Sequence, residues 1–229
     1  VHREEAAALV KEWYNKDAQQ YTSYRELLAS ADVDAVMIAS CDHQHTTHLQ
    51  AAAEAKKDIY VEKPLAMRMD RLIDAVDAVK ASEAVVQVGT QLRSMSTFTG
   101  CKALYETGIF GTVSRIEQIR NSDRPYWYGY MDKDVKKEDV EWAEFLMDRP
   151  YRPFDPVQFS GWYGYAEFSD GPLPGLASHY IDLVHYITGA EFPHSCICTG
   201  GVYTWMDENK FTCPDQIDAV WQYKEGFLS

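Results

Sequence analysis

The feature that most restricts the fold lies between residues 32 and 93, where short apolar runs alternate with helix-like segments. Residues 32–40 (DVDAVMIAS) are mostly apolar and end in small polar side chains, the pattern of a buried parallel strand. His45 to Ala55 is alanine-rich and helical. Ile59-Tyr60-Val61 is a short strand, broken by Pro64. Arg68 to Ala81 is an amphipathic helix with Leu72, Ile73, Val76 and Val79 on its apolar side, and Ala84 to Val88 is the next strand, closed by Gly89. This alternation predicts an α/β fold, a parallel sheet with helices on both faces. Ligands of such sheets bind beyond the carboxyl ends of the strands. Residues 40–45, 62–64 and 89–93 are therefore the segments to watch, and polar types cluster there.

Two helices are expected upstream, over Val1 to Tyr14 and Tyr24 to Ala29. Beyond residue 94 the texture changes. Ser96 to Thr107 reads as a helix and Thr112 to Arg120 alternates like a strand. Residues 121–171 are loop-rich and carry Tyr126, Trp127, Tyr128, Trp142, Phe154, Phe159, Trp162 and Tyr163. Leu176 to Ile187 is helical and ends at Gly189. Phe192 to Trp205 and Ile217 to Tyr223 read as strands of an antiparallel or mixed sheet, so a second, α+β domain is expected from residue 94 to residue 229.

Composition narrows the partners. The chain carries 22 basic and 35 acidic residues, a net charge of -13. Such a surface repels phosphate backbones, which argues against nucleic acid as a partner. No apolar run is long enough to span a bilayer, so a membrane is not expected as a partner. Cys41, Cys101, Cys196, Cys198 and Cys213 are odd in number and share no repeated spacing, which suits a reducing compartment better than a disulfide framework. Cys196 and Cys198 point to one face of a strand, at a spacing narrower than structural zinc pairs use.

The sharpest local motif is Val61-Glu62-Lys63-Pro64 at a strand end. Pro64 pushes Lys63 toward extended geometry, so that the lysine projects over the carboxyl edge of the sheet. The whole run, DVDAVMIAS–CDHQH–helix–KKDIYVEKPLA–helix–VVQVGTQLR, together with GPLPGLASHYIDLVHYITG at 171–189, resembles the Gfo/Idh/MocA oxidoreductases. That resemblance implies a partial Rossmann-type dinucleotide-binding domain over residues 1–93 and a truncated substrate and oligomerisation domain over residues 94–229. The implied cofactor is NAD or NADP. Lys63 matches the family's lysine beside the nicotinamide, and His179 its catalytic histidine. Asp182 matches its substrate-binding aspartate, on the same helix face as His179. Ser40, Cys41, His45, Glu62 and Gln91 are expected to face the dinucleotide. Arg93, Trp162 and Tyr163 are expected to join Asp182 around the substrate. His43, His45 and His48 imitate a metal cluster, but only Asp42 accompanies them and no metal is expected.

Two departures stand out. No G-x-G-x-x-G phosphate loop occurs, so the chain is expected to begin just after the acidic residue of the second strand and by itself to hold a dinucleotide poorly. Gly175 stands where family members commonly place an aspartate, which leaves a Lys-Asp-His triad incomplete; Asp170 and Asp182 are the nearby acids that would substitute.

The implied reaction is hydride transfer between a nicotinamide and a secondary hydroxyl of a sugar or polyol. In it His179 serves as base and Lys63 stabilises the developing alkoxide. Two other readings are carried: a redox-assisted glycosidase, and a non-catalytic binding or sensor protein on the same fold. A homo-oligomer formed through the C-terminal sheet is expected, with a cytoplasmic location, or an exported one since some relatives resembling residues 140–205 are exported.

Overall fold

The computed structural model describes residues 2–229; Val1, the first residue of the expected opening helix, lies outside them. Helices α1 (His2–Tyr14) and α2 (Tyr24–Ala29) lead into β1 (Ala35–Ile38), α3 (His45–Glu54), β2 (Asp58–Glu62), α4 (Met69–Ser82) and β3 (Val86–Gly89). The three strands form one parallel sheet in the order β1-β2-β3, with Ile38 opposite Val61 and Glu62 opposite Gly89. All three therefore end at one edge.

Side chains alternate across the pleat, and that alternation decides which face is buried. Ile38, Ile59 and Val61 point inward onto Leu49, Ala52 and Ala53 of α3 and Ala75 of α4, and Val36, Val86 and Val88 pack against the same core. The other face carries the exposed Met37 and Gln87 and the half-buried Tyr60. The expectation of helices on both faces is thus corrected: among the described residues one face is covered. α1 contributes no buried residue.

The second region starts with α5 (Ser96–Glu106) and closes with α8 (Ser178–Thr188), against which α5 packs, and with β4 (Pro193–Gly201) and β5 (Gln216–Tyr223). β4 and β5 pair antiparallel, which resolves the antiparallel-or-mixed expectation. Gly189 ends α8 in the left-handed conformation, φ 78°, as a glycine at that position allows. A single π turn over Leu173–Ala177 leads into α8.

Two strand expectations fail. Residues 112–120 form no strand: their one bridge joins Arg115 to Leu228, with Ile116 N–H donating to the Leu228 carbonyl at 2.8 Å. The alternation is present, but no ladder partner runs alongside, and Ile119 is exposed. β4 stops at Gly201 rather than reaching Trp205, because the Asp215 carboxylate accepts the Tyr203, Thr204 and Trp205 amides at 2.8–2.9 Å and turns the chain. Cys196 and Cys198 are exposed free thiols on β4.

Between α5 and α8 the chain is held by aromatic clusters and two short helices, α6 (Trp142–Leu146) and α7 (Pro156–Ser160). One cluster gathers Trp142, Phe145, Leu146 and Phe168. The other gathers Trp127, Phe211 and Cys213, with Tyr126 and Tyr163 on its flank. No helix among the described residues is long and apolar enough to cross a membrane.

Candidate active site

The carboxyl edge of the parallel sheet is where the two regions meet. After β1 the chain turns through Cys41 into a 3-10 turn over Asp42–Gln44 and then α3. His43 Nε2–H donates to the Phe145 carbonyl at 2.7 Å, and the Gln44 amide donates to the carbonyls of Glu144 and Phe145. The ring of His43 lies between Phe145 and Phe168, at 5.2 and 5.1 Å. The loop is therefore clamped by the aromatic region. Asp42 goes in with it, 4% exposed, and accepts the Ser169 hydroxyl at 2.8 Å. Burial pushes its carboxyl up to about 6, against the Ser169 hydrogen bond and the charges of His45 and Lys63.

His45 fixes the next turn. Its Nδ1 lies 2.7 Å from the Pro64 carbonyl and its Nε2 2.9 Å from the Ser40 carbonyl, so one buried ring spans the ends of β1 and β2. The Ser40 hydroxyl meets His48 Nδ1 at 3.0 Å. Glu62 accepts the Lys63 amide at 3.3 Å. The Lys63–Pro64 peptide is cis, and from this turn the Lys63 ammonium crosses to the second region and donates to the Gly175 carbonyl. Burial lowers Lys63 below the usual lysine range, opposed by the charges of Asp42 and Glu62.

His179, in the first turn of α8, lies close enough to feel Lys63. Burial and then the Lys63 charge hold its ring below the usual histidine range, while Glu62 and Asp182 oppose them. The ring is therefore neutral near pH 7, and its Nδ1 is buried with no hydrogen-bond partner. Asp182 is not free as the sequence suggests: Arg93 Nε and Nη2 donate to its two oxygens at 2.7 and 2.5 Å. Two residues expected around the substrate thus hold one another, tying the end of β3 to α8. Gln91 opens the turn after β3 and is exposed.

The aromatic residues divide. Trp162 and Tyr163 stack at 3.6 Å. Trp162 leans into the Trp142–Phe145 cluster beside Cys41, whereas Tyr163 packs edge-on against Tyr126 at 5.3 Å and senses Asp42 and Glu62. Burial pushes the Cys41 thiol far up, leaving it inert. Among the described residues, no three His, Cys, Asp or Glu side chains gather as metal ligands.

Sequence reasoning missed Asp42, Ser169 and Tyr126 as members of this site. Asp42 stood in view only as a possible companion to histidines. Its buried partner Ser169 is 127 residues away, and no local pattern announces such a contact.

The fit to a nicotinamide dinucleotide can be judged from the site itself. A polar edge formed by three strand ends leads to a neutral histidine with a free buried nitrogen and to a half-buried ammonium. These are groups suited to a reacting hydroxyl and ring.

Comparison with known proteins agrees with this geometry. Residues 1–90 match the Gfo/Idh/MocA oxidoreductase family, NAD-binding Rossmann fold, and residues 145–228 match its C-terminal alpha/beta domain. An inositol 2-dehydrogenase/D-chiro-inositol 3-dehydrogenase of Shouchella clausii is 38% identical over 153 residues, 65% of this chain and 44% of that protein. An uncharacterized oxidoreductase of Bacillus subtilis is 32% identical over 149 residues, 62% of this chain and 44% of that protein. In structure, a levoglucosan dehydrogenase in complex with NADH superposes with a TM-score of 0.69 at 21% identity, over 98% of this chain and 53% of the other. The chain thus spans about half the length of these relatives. With both halves of one family matched in order, on a parallel sheet followed by a separate antiparallel one, the chain belongs to the Gfo/Idh/MocA oxidoreductases.

Proposed function

We propose that the intact protein transfers a hydride between a nicotinamide cofactor, NAD or NADP, and a secondary hydroxyl of a sugar or polyol. The observation that carries this reading is the convergence of Lys63 and His179, one from the end of β2 and one from the start of α8, across the meeting line of the two regions. Ser40, Cys41, His45, Glu62 and Gln91 line the dinucleotide edge. Tyr163 and Trp162 flank the substrate, and the Arg93–Asp182 pair braces the far wall. We place the division between the two domains near residue 94, and assign the exposed β4–β5 face to self-association.

When bound, the nicotinamide accepts or supplies the hydride. The chain does the rest. His179, neutral near pH 7, takes the hydroxyl proton at a ring nitrogen during oxidation and returns it in the reverse direction. Lys63 places its positive charge against the oxygen as negative charge develops there.

The test is absorbance of reduced nicotinamide with a panel of inositols, sugars and anhydrosugars, alongside product analysis. Net turnover with a polyol is the expected result. Glycoside cleavage without net turnover, or polyol binding with neither reaction, would overturn it. Because no glycine-rich phosphate turn occurs among these residues, the chain by itself is expected to bind NAD and NADP weakly, and tight binding by calorimetry would contradict that.

A further inference from the structure

The Tyr126 hydroxyl is buried and has no hydrogen-bond partner. A neutral polar group left so loses the hydrogen bonds it had in water, which folds seldom tolerate without a ligand, an ion or a water to complete it. Its position is informative. A Cβ built on Gly175 would lie 2.8 Å from this oxygen. Gly175 is also the residue whose carbonyl accepts the Lys63 ammonium. The phenol therefore occupies the space a side chain at 175 would need, next to the lysine that the proposed reaction uses.

The ring is well held. Tyr163 packs edge-on against it at 5.3 Å, and the following residue, Trp127, is 1% exposed and packs edge-on against it at 5.3 Å. Its surroundings also keep it protonated: burial, then the charge of Asp42, raises its phenol above the usual tyrosine range. A neutral, fixed phenol donates one hydrogen bond and is not a base.

We propose that Tyr126 contacts the substrate, donating its hydroxyl hydrogen bond to an oxygen of the polyol beside Lys63, and that glycine at position 175 is what admits it. This rests on the function proposed above and adds a donor that no charged-residue pattern announces. It also limits the ligand: the molecule must present an acceptor oxygen, as a free or ring oxygen of a sugar does, within reach of both the ammonium and the phenol.

The test uses the intact protein and two readouts, kcat/KM and the rise in melting temperature that the polyol produces without cofactor. Tyr126→Phe, which removes one atom, is expected to lower kcat/KM about tenfold, the scale of one neutral hydrogen bond. It should abolish most of the polyol-induced melting shift while leaving cofactor affinity and the unliganded melting temperature in place. Gly175→Ala should cost a similar factor by displacing the phenol, and the double variant should be no worse than either single, as for residues acting as one unit. A Tyr126→Phe protein with unchanged kcat/KM and an unchanged melting shift overturns the assignment while the proposed function stands. If the wild-type protein shows no turnover but its melting shift is lost in Tyr126→Phe, the functional reading falls and the Tyr126 contact survives. If no polyol is turned over by the wild-type protein and none shifts its melting temperature, both fall.

Discussion

The parallel layer of residues 32–93 and the aromatic region of residues 121–171 supply the two walls of one site, yet different forces build them. In the layer, backbone ladders fix three strands and a one-sided aliphatic core of Ile38, Leu49, Ile59 and Val61 sits beneath them. In the aromatic region, short helical turns hang on ring-to-ring contacts and on side chains that capture backbone groups, such as Trp142 Nε1–H donating to the Arg152 carbonyl at 2.8 Å and Asp155 capping α7. The layer delivers charge from strand ends: Asp42, Glu62, Lys63. The aromatic region delivers enclosure, with Phe145, Phe168 and Ser169 closing over Asp42. A regular sheet can aim a lysine but leaves it wet. The irregular aromatic wall can dry a site, and it commits charged groups such as Arg149 and Arg152 to its own packing, over the Phe168 ring and onto Glu167.

The largest effect should come from breaking that wall. Phe168 is fully buried, 4.9 Å from Phe145, 5.1 Å from His43 and capped by the Arg152 guanidinium at 5.2 Å. Phe168→Ala is expected to destabilise the protein by about 3–5 kcal/mol, the usual scale for emptying a buried phenylalanine site. It should also raise amide exchange across residues 41–45. Denaturant titration and hydrogen exchange read the two effects. A loss confined to residues 121–171, with the 41–45 loop still protected, would show that the walls fold independently and that the clamp is incidental.

Next in size is the chemistry. Lys63→Ala in the intact enzyme is expected to lower kcat about a hundredfold or more, the range for losing a positioned acid–base or charge-stabilising group. His179→Ala should behave similarly, and the double variant should be little worse than either single. Cofactor affinity should fall far less. Near-normal kcat with lost cofactor affinity would make Lys63 a binding residue and leave the chemistry to His179 of α8.

How much of this was legible in the sequence follows the same division. β1, α3, β2, α4 and β3 were readable because their apolar periods are local, and the Glu62-Lys63-Pro64 turn advertised a lysine at a strand end. The aromatic region was readable only as a composition. Its pairs, Trp127 with Phe211 and Tyr128 with Trp205, span most of the second half of the chain, and no period encodes them. Residues 112–120 misled because alternation reports a pleat but not a neighbour to pair with. Asp182 carried a substrate reading that its local spacing suits, and nothing local shows Arg93, 89 residues away, occupying both its oxygens. Lys63 was visible; the Gly175 carbonyl, in the turn before α8, and the Tyr126 phenol of the aromatic wall beside it were not.

The smallest effect is also the one that separates the two walls most finely. Three titrating groups lie in or just after the clamped loop. His43 is pushed down to about 4 by burial, which Phe145 and Phe168 provide, and by the Arg149 charge. His48 is pushed down to about 4 by burial and by the charges of His45 and Arg25; the ring nearest it is Tyr24 of α2. Asp42 is pushed up to about 6. Between pH 4 and about 6.5, the ordinary histidine value, the unfolded chain binds protons that His43 and His48 refuse in the fold, so their contribution makes stability rise with pH. Over nearly the same window folded Asp42 keeps a proton that the unfolded carboxylate has lost, so its contribution makes stability fall with pH. Two groups oppose one, so these three together contribute a positive slope of about one proton, which levels off above pH 6.5. Asp42→Asn removes the opposing group and should steepen the rise by about one proton. Phe168→Ala in the Asp42→Asn background, where the opposing carboxyl is gone, wets His43 and should flatten the rise, while His48, held from the α2 side, keeps its share. Melting temperature against pH for wild type, Asp42→Asn and the double variant decides it: equal slopes in Asp42→Asn and the double variant would mean that His43 is buried by the layer itself and not by the aromatic wall.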